Sequence, residues 1–416
     1  MLSRVVQRSK GVELMYTNTR IYIVILSIVL VVSPLSANAQ QSQQGIAVGP
    51  GKLSPGLGLA LSYDDNLLRS VPGTELDTFI YNITPSLSYE MQDNTRHFMA
   101  NWDLDAGFHD SSSNDDYLDN TLGAQFELTP NSRTRLGISG EYKDAHDPRG
   151  TGRAEGLAIG RFQPYPDEWH HFKVEGNMAY GSEASRGRFD GDVGYLSKRY
   201  DNNRVLTAYR DRDDTYGNGN FYYQVAPKTS LVVGGGIIDH NYRTASLLGA
   251  SLDSTDYQVS GGITWDALNK TTGTLRFGYI NKDFTSAARA SSNAFNWDVE
   301  VVWTPRTYSI VTLTTSRKYD ETNGTGNLIQ RDSYAAKWTH FWRDRLSSTV
   351  DFSYMNDSLK PTTREDDLIN AGVQLNYDMR RWLTLSAGYH YDERDSNRNA
   401  FDYERNLFLI SASITD

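Results

Sequence analysis

The chain has no cysteine among its 416 residues, so neither a disulfide framework nor a thiolate metal site can form. It also has only 12 prolines, and its 41 basic residues do not outnumber its 51 acidic ones. Nucleic-acid binding requires a basic surface, so DNA and RNA are not expected partners. Beyond the N-terminal region no apolar run reaches the roughly 18 residues of a transmembrane helix. The bulk of the chain is therefore predicted to contain no such helix.

The N-terminus carries the pattern of a secretory signal. Arg20 precedes the apolar run IYIVILSIVLVV at 21–32, and the small residues Ala37 and Ala39 follow. This pattern predicts a signal peptide over residues 1–39 and export from the cytoplasm. Residues 40–55 are rich in Gln, Gly and Pro and are predicted to form a flexible periplasmic lead. A single domain is expected over residues 56–416, acidic like the whole chain, whose net charge is -10.

From residue 56 onward, apolar and polar residues alternate along the chain. The stretch 97–110, HFMANWDLDAGFHD, puts Phe98, Trp102 and Phe108 on one face and Asp103 on the other. The same alternation occurs at 171–180, 348–356 and 383–391. A period of two indicates β-strands, and 26 tyrosines and 34 glycines suit strands and turns. The runs reach about ten residues, the length of a tilted membrane-spanning strand, whereas strands of soluble sheets average about five or six.

The connections between these runs alternate between short and long. Short connections are predicted at 93–94, 130–132, 165–168, 201–203, 226–228, 266–270, 304–306, 343–344 and 379–380. Longer polar stretches lie between them, at 111–116, 145–153, 245–255 and 321–332. Outer-membrane barrels have short periplasmic turns and longer external loops. The pattern favours a barrel over a soluble sandwich, which has no reason to sort its loops this way.

Aromatic residues give an independent indication of the same fold. Five tryptophans lie in or beside the predicted short turns, where an interfacial girdle is expected: Trp169, Trp265, Trp303, Trp342 and Trp382. Tyrosines fall toward the predicted long loops, at Tyr63, Tyr142, Tyr180, Tyr279, Tyr354 and Tyr391. We predict an all-β, transmembrane, antiparallel up-and-down β-barrel in the bacterial outer membrane. It should have about 20 strands, or 18 if the first hairpin is irregular.

The polar face of each strand is predicted to line the lumen. Charged lumen candidates are Asp103, Asp105, Arg135, Glu141, Lys173, Glu175, Arg276, Asp298, Glu300, Asp351 and Asp392. Lumenal charges set ion preference and can hold sugars by hydrogen bonds. The alternative interpretation is that these residues form an ordinary solvated wall with no role in transport. The excess of carboxylates disfavours a selective anion pore.

Catalysis is not expected from this sequence. Asp103 and Asp105 are two apart on one strand face, roughly 7 Å by strand rise, between the carboxylate separations of retaining and inverting glycosidases. Such pairs are common in polar strands, and no serine lies in a GxSxG motif. Gly234 to Gly236 precede no predicted helix, so they are not a phosphate loop. We therefore predict no catalytic residue, no cofactor and no metal site.

A cluster of polar residues follows the first predicted strand. The candidate motif comprises Tyr63, Asp64, Asp65, Asn66 and Arg69. Asp and Asn side chains commonly bind their own backbone at turns. Oxygen ligands would also suit calcium or a sugar, but three clustered oxygens are a weak signal. The turn interpretation is favoured.

The same stretch carries a family resemblance, through Gly58, Leu61, Tyr63, Asp65, Asn66, Leu67 and Arg69. It resembles the opening strand of barrel porins encoded with exopolysaccharide biosynthesis genes, the putative beta-barrel porin 2 class. The resemblance implies passage of a secreted polysaccharide through a polar, acidic lumen, with outer-membrane lipid and the polysaccharide as partners. Because no nucleotide site is recognisable, energy would come from synthesis or from periplasmic export proteins. A general diffusion or small-solute porin, and a structural or enzymatic barrel, are the alternatives.

Overall fold

In the described part of the chain, eighteen long antiparallel strands form one closed barrel, and a short nineteenth strand pairs with the beginning of the first long strand. The computed structural model describes residues 45–156, 163–182, 185–245, 249–267 and 270–415. The strands are β1 Ile46–Val48, β2 Gly51–Asp64, β3 Thr78–Gln92, β4 Arg96–His109, β5 Tyr117–Asn131, β6 Thr134–Asp147, β7 Asp167–Tyr180, β8 Gly187–Tyr200, β9 Arg212–Ala226, β10 Thr229–Tyr242, β11 Ser254–Ala267, β12 Thr271–Phe284, β13 Ser292–Arg306, β14 Ser309–Glu321, β15 Leu328–Arg343, β16 Leu346–Lys360, β17 Glu365–Arg380, β18 Leu383–Ser396 and β19 Tyr403–Thr415. A single helical turn, α1, spans Arg204–Thr207, and 3-10 turns occur at Ser113–Asp115, Gly152–Ala154, Ala208–Arg210 and Asn399–Phe401.

The barrel closes where the last strand pairs with the first long one. β19 pairs with β2 from Leu407 opposite Asp64 to Thr415 opposite Gly56. Closure removes the sheet edges that a membrane would leave without hydrogen-bond partners. The prediction of an all-β antiparallel barrel is thus confirmed, with 18 strands in the ring. Among the described residues, no helix is long and apolar enough to cross a membrane.

The higher predicted count of about 20 strands came from two misplaced turns. The sequence predicts short connections at 165–168 and 201–203. Instead, residues 165–166 directly precede β7 at its loop end, and residues 201–203 begin the loop 201–211. β7 ends at Tyr180 and β8 begins at Gly187, so these two strands are joined where no short connection was predicted. Polar residues that end a strand resemble a tight turn in sequence, whether the loop that follows is short or long.

The barrel begins earlier in the chain than residue 56. The predicted signal peptide, 1–39, and residues 40–44 of the predicted lead lie outside the described residues. Residues 46–55 form β1 and the start of β2, not a flexible segment. Gly49, with a φ of +60°, allows the tight turn between these strands, and Lys52 already pairs with Glu90 of β3.

The connections sort into two ends of the barrel, which we call the turn end and the loop end. Turn-end connections with both flanks described lie at 93–95, 132–133, 227–228, 307–308, 344–345 and 381–382. Loop-end connections described throughout lie at 65–77, 110–116, 201–211, 285–291, 322–327, 361–364 and 397–402. This asymmetry is typical of barrels with periplasmic turns and external loops.

Apolar side chains point outward along the strands. Val193, Val233 and Val259, for example, are each at least 60% exposed on the outer face. Among the described residues, buried apolar side chains inside the barrel form two small clusters, both at the loop end: Tyr209, Tyr242 and Leu252, and Ile280, Tyr319 and Leu328. An apolar exterior around a polar interior reverses the arrangement of a soluble protein and suits a lipid surround.

Candidate functional site

The polar motif at the loop end of the first long strand joins β2 to β19, where the barrel closes, and we call this interaction the clamp. Asp64 is fully buried and accepts hydrogen bonds from Arg405 of β19, from Nε at 3.0 and 2.9 Å and from Nη2 at 2.6 Å. Asp65 accepts from the backbone N–H of Asn406 at 2.6 Å and from its Nδ2 at 2.7 Å. These charge-assisted bonds tie the loop end of β2 to β19.

The other motif residues shape the loop that follows. Asn66 accepts from the backbone N–H of Ser70 at 2.8 Å and donates to the carbonyl of Ser70 at 2.8 Å. Arg69 adopts a φ of +47°, and Tyr63 donates to Asp77 at 3.2 Å on the exposed side. The geometry matches the predicted turn and gives no support to a calcium or sugar site. The clamp itself was missed because its partners lie at the opposite end of the sequence.

The inner face of β6 to β13 carries most of the paired charges, and we call it the charged wall. On it, Glu175 is buried, lies 3.1 Å from Lys173 Nζ, and accepts a hydrogen bond from Tyr216 at 2.7 Å. Arg276 donates to the hydroxyl of Tyr222 at 3.1 Å. Further pairs on this wall are His171–Glu141, Arg188–Asp190 and Asn218–Asp192. The charged wall thus satisfies many of its carboxylates internally.

The inner face of β14 to β19 and β2 to β5 is different, and we call it the neutral wall. Hydroxyl, amide and glycine residues alternate with the outward apolar ones on these strands. They include Thr312, Thr314, Ser353, Gln374, Asn376, Ser386, Ser411, Ser413, Gly58, Thr84, Ser86 and Asn101. Asp103, Asp105, Lys337 and Asp351 interrupt this wall in the middle portion of the strands, and ion pairs such as Arg331–Asp357 and Arg405–Asp392 lie toward its loop end. The inner face of the barrel is thus divided into two walls of different composition.

All eleven charged lumen candidates lie on the inner face, opposite the exposed apolar residues. Asp103 and Asp298 are exposed to the interior. Asp105 accepts hydrogen bonds from Asn82 and Tyr117, and Asp392 is buried against Arg405. The remaining candidates are Arg135, Glu141, Lys173, Glu175, Arg276, Glu300 and Asp351. That any of them contacts a permeating molecule stays a prediction.

At the loop end, the segment 148–156, which we call the plug segment, crosses from β6 to the opposite side of the barrel. Its carboxylate Glu155 is 5% exposed. Glu155 accepts from Arg364 at 2.6 Å, from Arg394 at 2.7 Å and from Asn323 at 2.8 Å. These partners belong to the loop before β17, to β18 and to the loop before β15. One buried carboxylate therefore holds the segment against three separate elements.

Two glycines let the plug segment fit between the other loops. Gly150 has a φ of +82°, and a Cβ there would lie 2.0 Å from the carbonyl oxygen of Leu68. Gly156 has a φ of +83°, and a Cβ there would lie 2.9 Å from the ring of Phe401. A residue with a side chain would be strained in this backbone conformation and would clash with these neighbours, so both positions require glycine.

Carboxylate partners keep Arg364 charged although its side chain is buried. Its side chain is fully buried, and burial alone would lower the pKa of Arg364. Hydrogen bonds and charges from Asp366 and Glu155 outweigh burial and raise this pKa above its ordinary value. The guanidinium therefore stays charged and depends on its carboxylate partners.

A second buried network holds the β14–β15 hairpin at the loop end. Glu321, near the tip of this hairpin, lies 2.6 Å from Lys282 Nζ, and Asp256 lies 3.1 Å from the same atom. His240, Asp256 and Glu321 are close enough together to hold a metal ion. The Lys282 ammonium already binds both carboxylates, so the geometry favours an ion-pair network over a metal site.

Four of the five predicted girdle tryptophans lie at the turn end: Trp265, Trp303, Trp342 and Trp382. Trp303, Trp342 and Trp382 are 47%, 56% and 51% exposed. Trp169 is different, because it lies at the loop end on the inner face. There it donates to Asp147 at 2.8 Å, with Lys198 Nζ 3.7 Å from its ring centroid. The sequence predicts Trp169 in the girdle because it predicts a short turn at 165–168, and both predictions are wrong.

Comparison with known proteins identifies the family. Residues 40–415 match the family described as putative beta-barrel porin 2, and the chain belongs to this family. It is accordingly a porin-type barrel of the bacterial outer membrane. No curated protein sequence matches it.

Several solved outer-membrane barrels are similar in structure. OccAB4 of Acinetobacter baumannii is 12% identical with a TM-score of 0.49, and the match covers 90% of this chain and 99% of that one. OpdO of Pseudomonas aeruginosa is 12% identical with a TM-score of 0.49, covering 88% and 98%. The FrpB iron transporter of Neisseria meningitidis is 10% identical with a TM-score of 0.47, covering 82% of this chain but only 62% of FrpB. Similarity at this level says nothing of what the chain transports.

Proposed function

We propose that this barrel passes a secreted polysaccharide across the outer membrane, along its neutral wall. The observation that carries the proposal is the run of hydroxyl, amide and glycine residues on the inner face of β14 to β19 and β2 to β5. Sugar hydroxyls both donate and accept hydrogen bonds, as do these side chains. A glycan can exchange such bonds step by step as it moves, without the tight hold that one strong charge pair gives.

The two walls have different roles in the proposed transport. The charged wall satisfies its own ions within the sheet, so few of its charges need a partner from the lumen. The lumen keeps a polar surface while the number of strong binding positions stays small. Conduction requires that a bound molecule can also leave, and a wall of weak, similar contacts meets that requirement.

Transport would begin with displacement of the plug segment. In the closed arrangement Glu155 holds the plug segment to Arg364 and Arg394 across the loop end, and we expect the segment to obstruct a polymer there. No described residues form a nucleotide-binding loop, so we expect polymer synthesis or periplasmic export proteins to supply the driving force.

A small-solute porin is the second candidate. The charged wall supports it, because Arg276, Arg188 and Tyr222 lie close together on the inner face. The Arg188 guanidinium carbon is 4.3 Å from the ring centroid of Tyr222. Such a cluster suits an anionic small molecule better than a neutral chain.

The test is interruption of ion current by polymer. Purified Glu155→Gln barrel, in which the plug is weakened, is placed in planar bilayers with neutral dextrans of defined length or with the host's secreted polysaccharide. We expect long interruptions that lengthen with chain length. Ser411→Arg with Ser413→Arg on the neutral wall should change the duration of interruptions, whereas Asn177→Arg on the charged wall should change it less. Passage of mono- and disaccharides with no interruption by polymers would favour the small-solute porin.

A further inference from the structure

The ladder between β13 and β14 stops short of the loop end. These strands pair from Arg306 opposite Ser309 only as far as Asp298 opposite Ser316. Residues 292–297 of β13 pair with β12 on their other side but have no ladder partner on β14 within the described chain. The neighbouring strands β16 and β17 pair up to Ser358 opposite Glu365. We call the gap beside residues 292–297 the notch.

The notch exists because the tip of the β14–β15 hairpin turns into the barrel. Tyr319 and Leu328, near this tip, pack against Ile280 and Phe284 of β12. Leu328 is 1% exposed, and Glu321 reaches Lys282. A strand that bends toward the lumen moves away from the neighbour that stays in the wall.

The notch lies at the outer boundary of the apolar band. Phe295, beside it on the outer face, is 54% exposed and stacks on Phe277 with ring centroids 5.9 Å apart. One step further toward the loop end, polar Asn281 and Asn293 face each other. This change from aromatic to polar residues on the outer face marks the membrane interface, where lipid head groups lie.

Polar side chains border the notch. Trp297 donates through Nε1 to Thr315 at 2.9 Å, and the guanidinium carbon of Arg317 is 4.6 Å from its ring centroid. Arg317 also donates to Asp332 at 2.6 Å. On the inner side, Asn296 is 5% exposed and its Oδ1 has no hydrogen-bond partner among the described residues.

Directly below the notch the outer surface carries an apolar groove of ≈ 280 Å³. Its outward-facing lining is Val299, Leu313, Thr315, Tyr334, Ala336 and Phe352. Val299 and Thr315 pair one step below the last β13–β14 pair, so groove and notch are continuous. Small residues in the middle of the groove, with large aromatic ones at its side, make the concavity.

We propose that the notch and groove bind one lipid of the outer leaflet, with an acyl chain in the groove and its polar head at the notch. The lining is uncharged and lies in the apolar band, where acyl chains surround the barrel. Open backbone groups are costly in hydrocarbon, so an edge at this depth needs polar partners. The ester, amide or hydroxyl groups of a lipid head supply them, and Arg317 adds a cation for a phosphate.

The test is lipid retention by the detergent-purified barrel, measured by native mass spectrometry. Ala336→Trp fills the groove, and Ala124→Trp, on the outer face of β5, is the matched control. Ala336→Phe is the milder groove variant, and slower electrophoretic mobility after boiling verifies that each barrel is folded. We expect wild type and Ala124→Trp to retain one tightly bound lipid and both groove variants to lose it at least tenfold more readily.

A lipopolysaccharide or phospholipid mass on the retained species identifies the lipid, and either supports the site. Equal retention by wild type and the groove variants would overturn the proposal, as would wild type that retains no lipid. The readout involves no polysaccharide, so its outcome is independent of the proposed export function.

Discussion

Replacement of Glu155 by Gln should release the plug segment. Glu155 is 5% exposed and contacts two arginines at 2.6 and 2.7 Å. Gln keeps the shape of the side chain but presents an amide N–H₂ group to one guanidinium, so that donor faces donor. The pair Arg364 and Arg394 then has Asp366 as its nearest remaining carboxylate.

The size of the effect follows from burial. Loss of one partner from a buried ion pair costs about 3–5 kcal/mol. Gln retains one neutral hydrogen bond, so we take the lower end, about 3 kcal/mol. At about 1.4 kcal/mol per factor of ten, the ratio of displaced to seated plug rises roughly 100-fold. The cost falls on the plug segment, because Arg364 and Arg394 stay anchored by β17 and β18.

Single-channel recording in planar bilayers measures this ratio as open probability. The control is Glu168→Gln, which removes the same charge from an exposed carboxylate near the same end of the barrel. We expect the control to behave as wild type and Glu155→Gln to open far more often at unchanged unitary conductance. An open probability of Glu155→Gln within threefold of the control would refute the claim that this carboxylate holds the plug segment in place.

Three further predictions concern stability and the plug. Arg405→Ala leaves the buried Asp64 without its guanidinium partner and should lower the free energy of unfolding by about 3–5 kcal/mol, read from urea titrations in vesicles; an unchanged midpoint would contradict the clamp. Gly150→Ala should raise open probability because a Cβ there clashes with the backbone of Leu68, whereas Gly152→Ala, which also has a positive φ but no heavy atom within 4 Å of its Cβ position, should raise it less; equal behaviour of the two would contradict the packing. Backbone N–H groups in the β3–β4 turn, together with the neighbouring arginine, hold the pKa of Asp93 below its ordinary range. Asp93 therefore stabilises the fold above its unfolded pKa of about 3.9, and the difference in midpoint from Asp93→Asn should shrink as pH falls below that value; a difference that is independent of pH would contradict this.

The alternation of residues was enough to predict the barrel and its two faces. A period of two is a local property, and the stretch 97–110 points Phe98 and Phe108 outward as expected. Inward placement of Asp103 follows from the same pattern. The strand count needed each turn to be placed correctly, and the polar ends of β7 and β8 looked the same as short turns.

The plug and the clamp could not be predicted from local pattern. Glu155 meets Arg364 and Arg394 more than 200 residues further along the chain, and Asp64 meets Arg405 341 residues away. In the sequence these are single charges in polar stretches. Their partners are set by barrel closure and by the bend of loops into the lumen, which only the folded arrangement specifies. The same holds for the notch, since the inward turn of the β14–β15 tip depends on Lys282 of another hairpin.

The most direct test of the account is the location of carbohydrate in a strain that lacks this gene. Secreted and periplasmic polysaccharide are measured in the deletion strain, with empty-vector and complemented controls. The account predicts that polymer disappears from the medium, accumulates in the periplasm and returns to the medium on complementation. Unchanged secretion in the deletion strain would contradict a role in polysaccharide export and leave the small-solute porin as the better explanation.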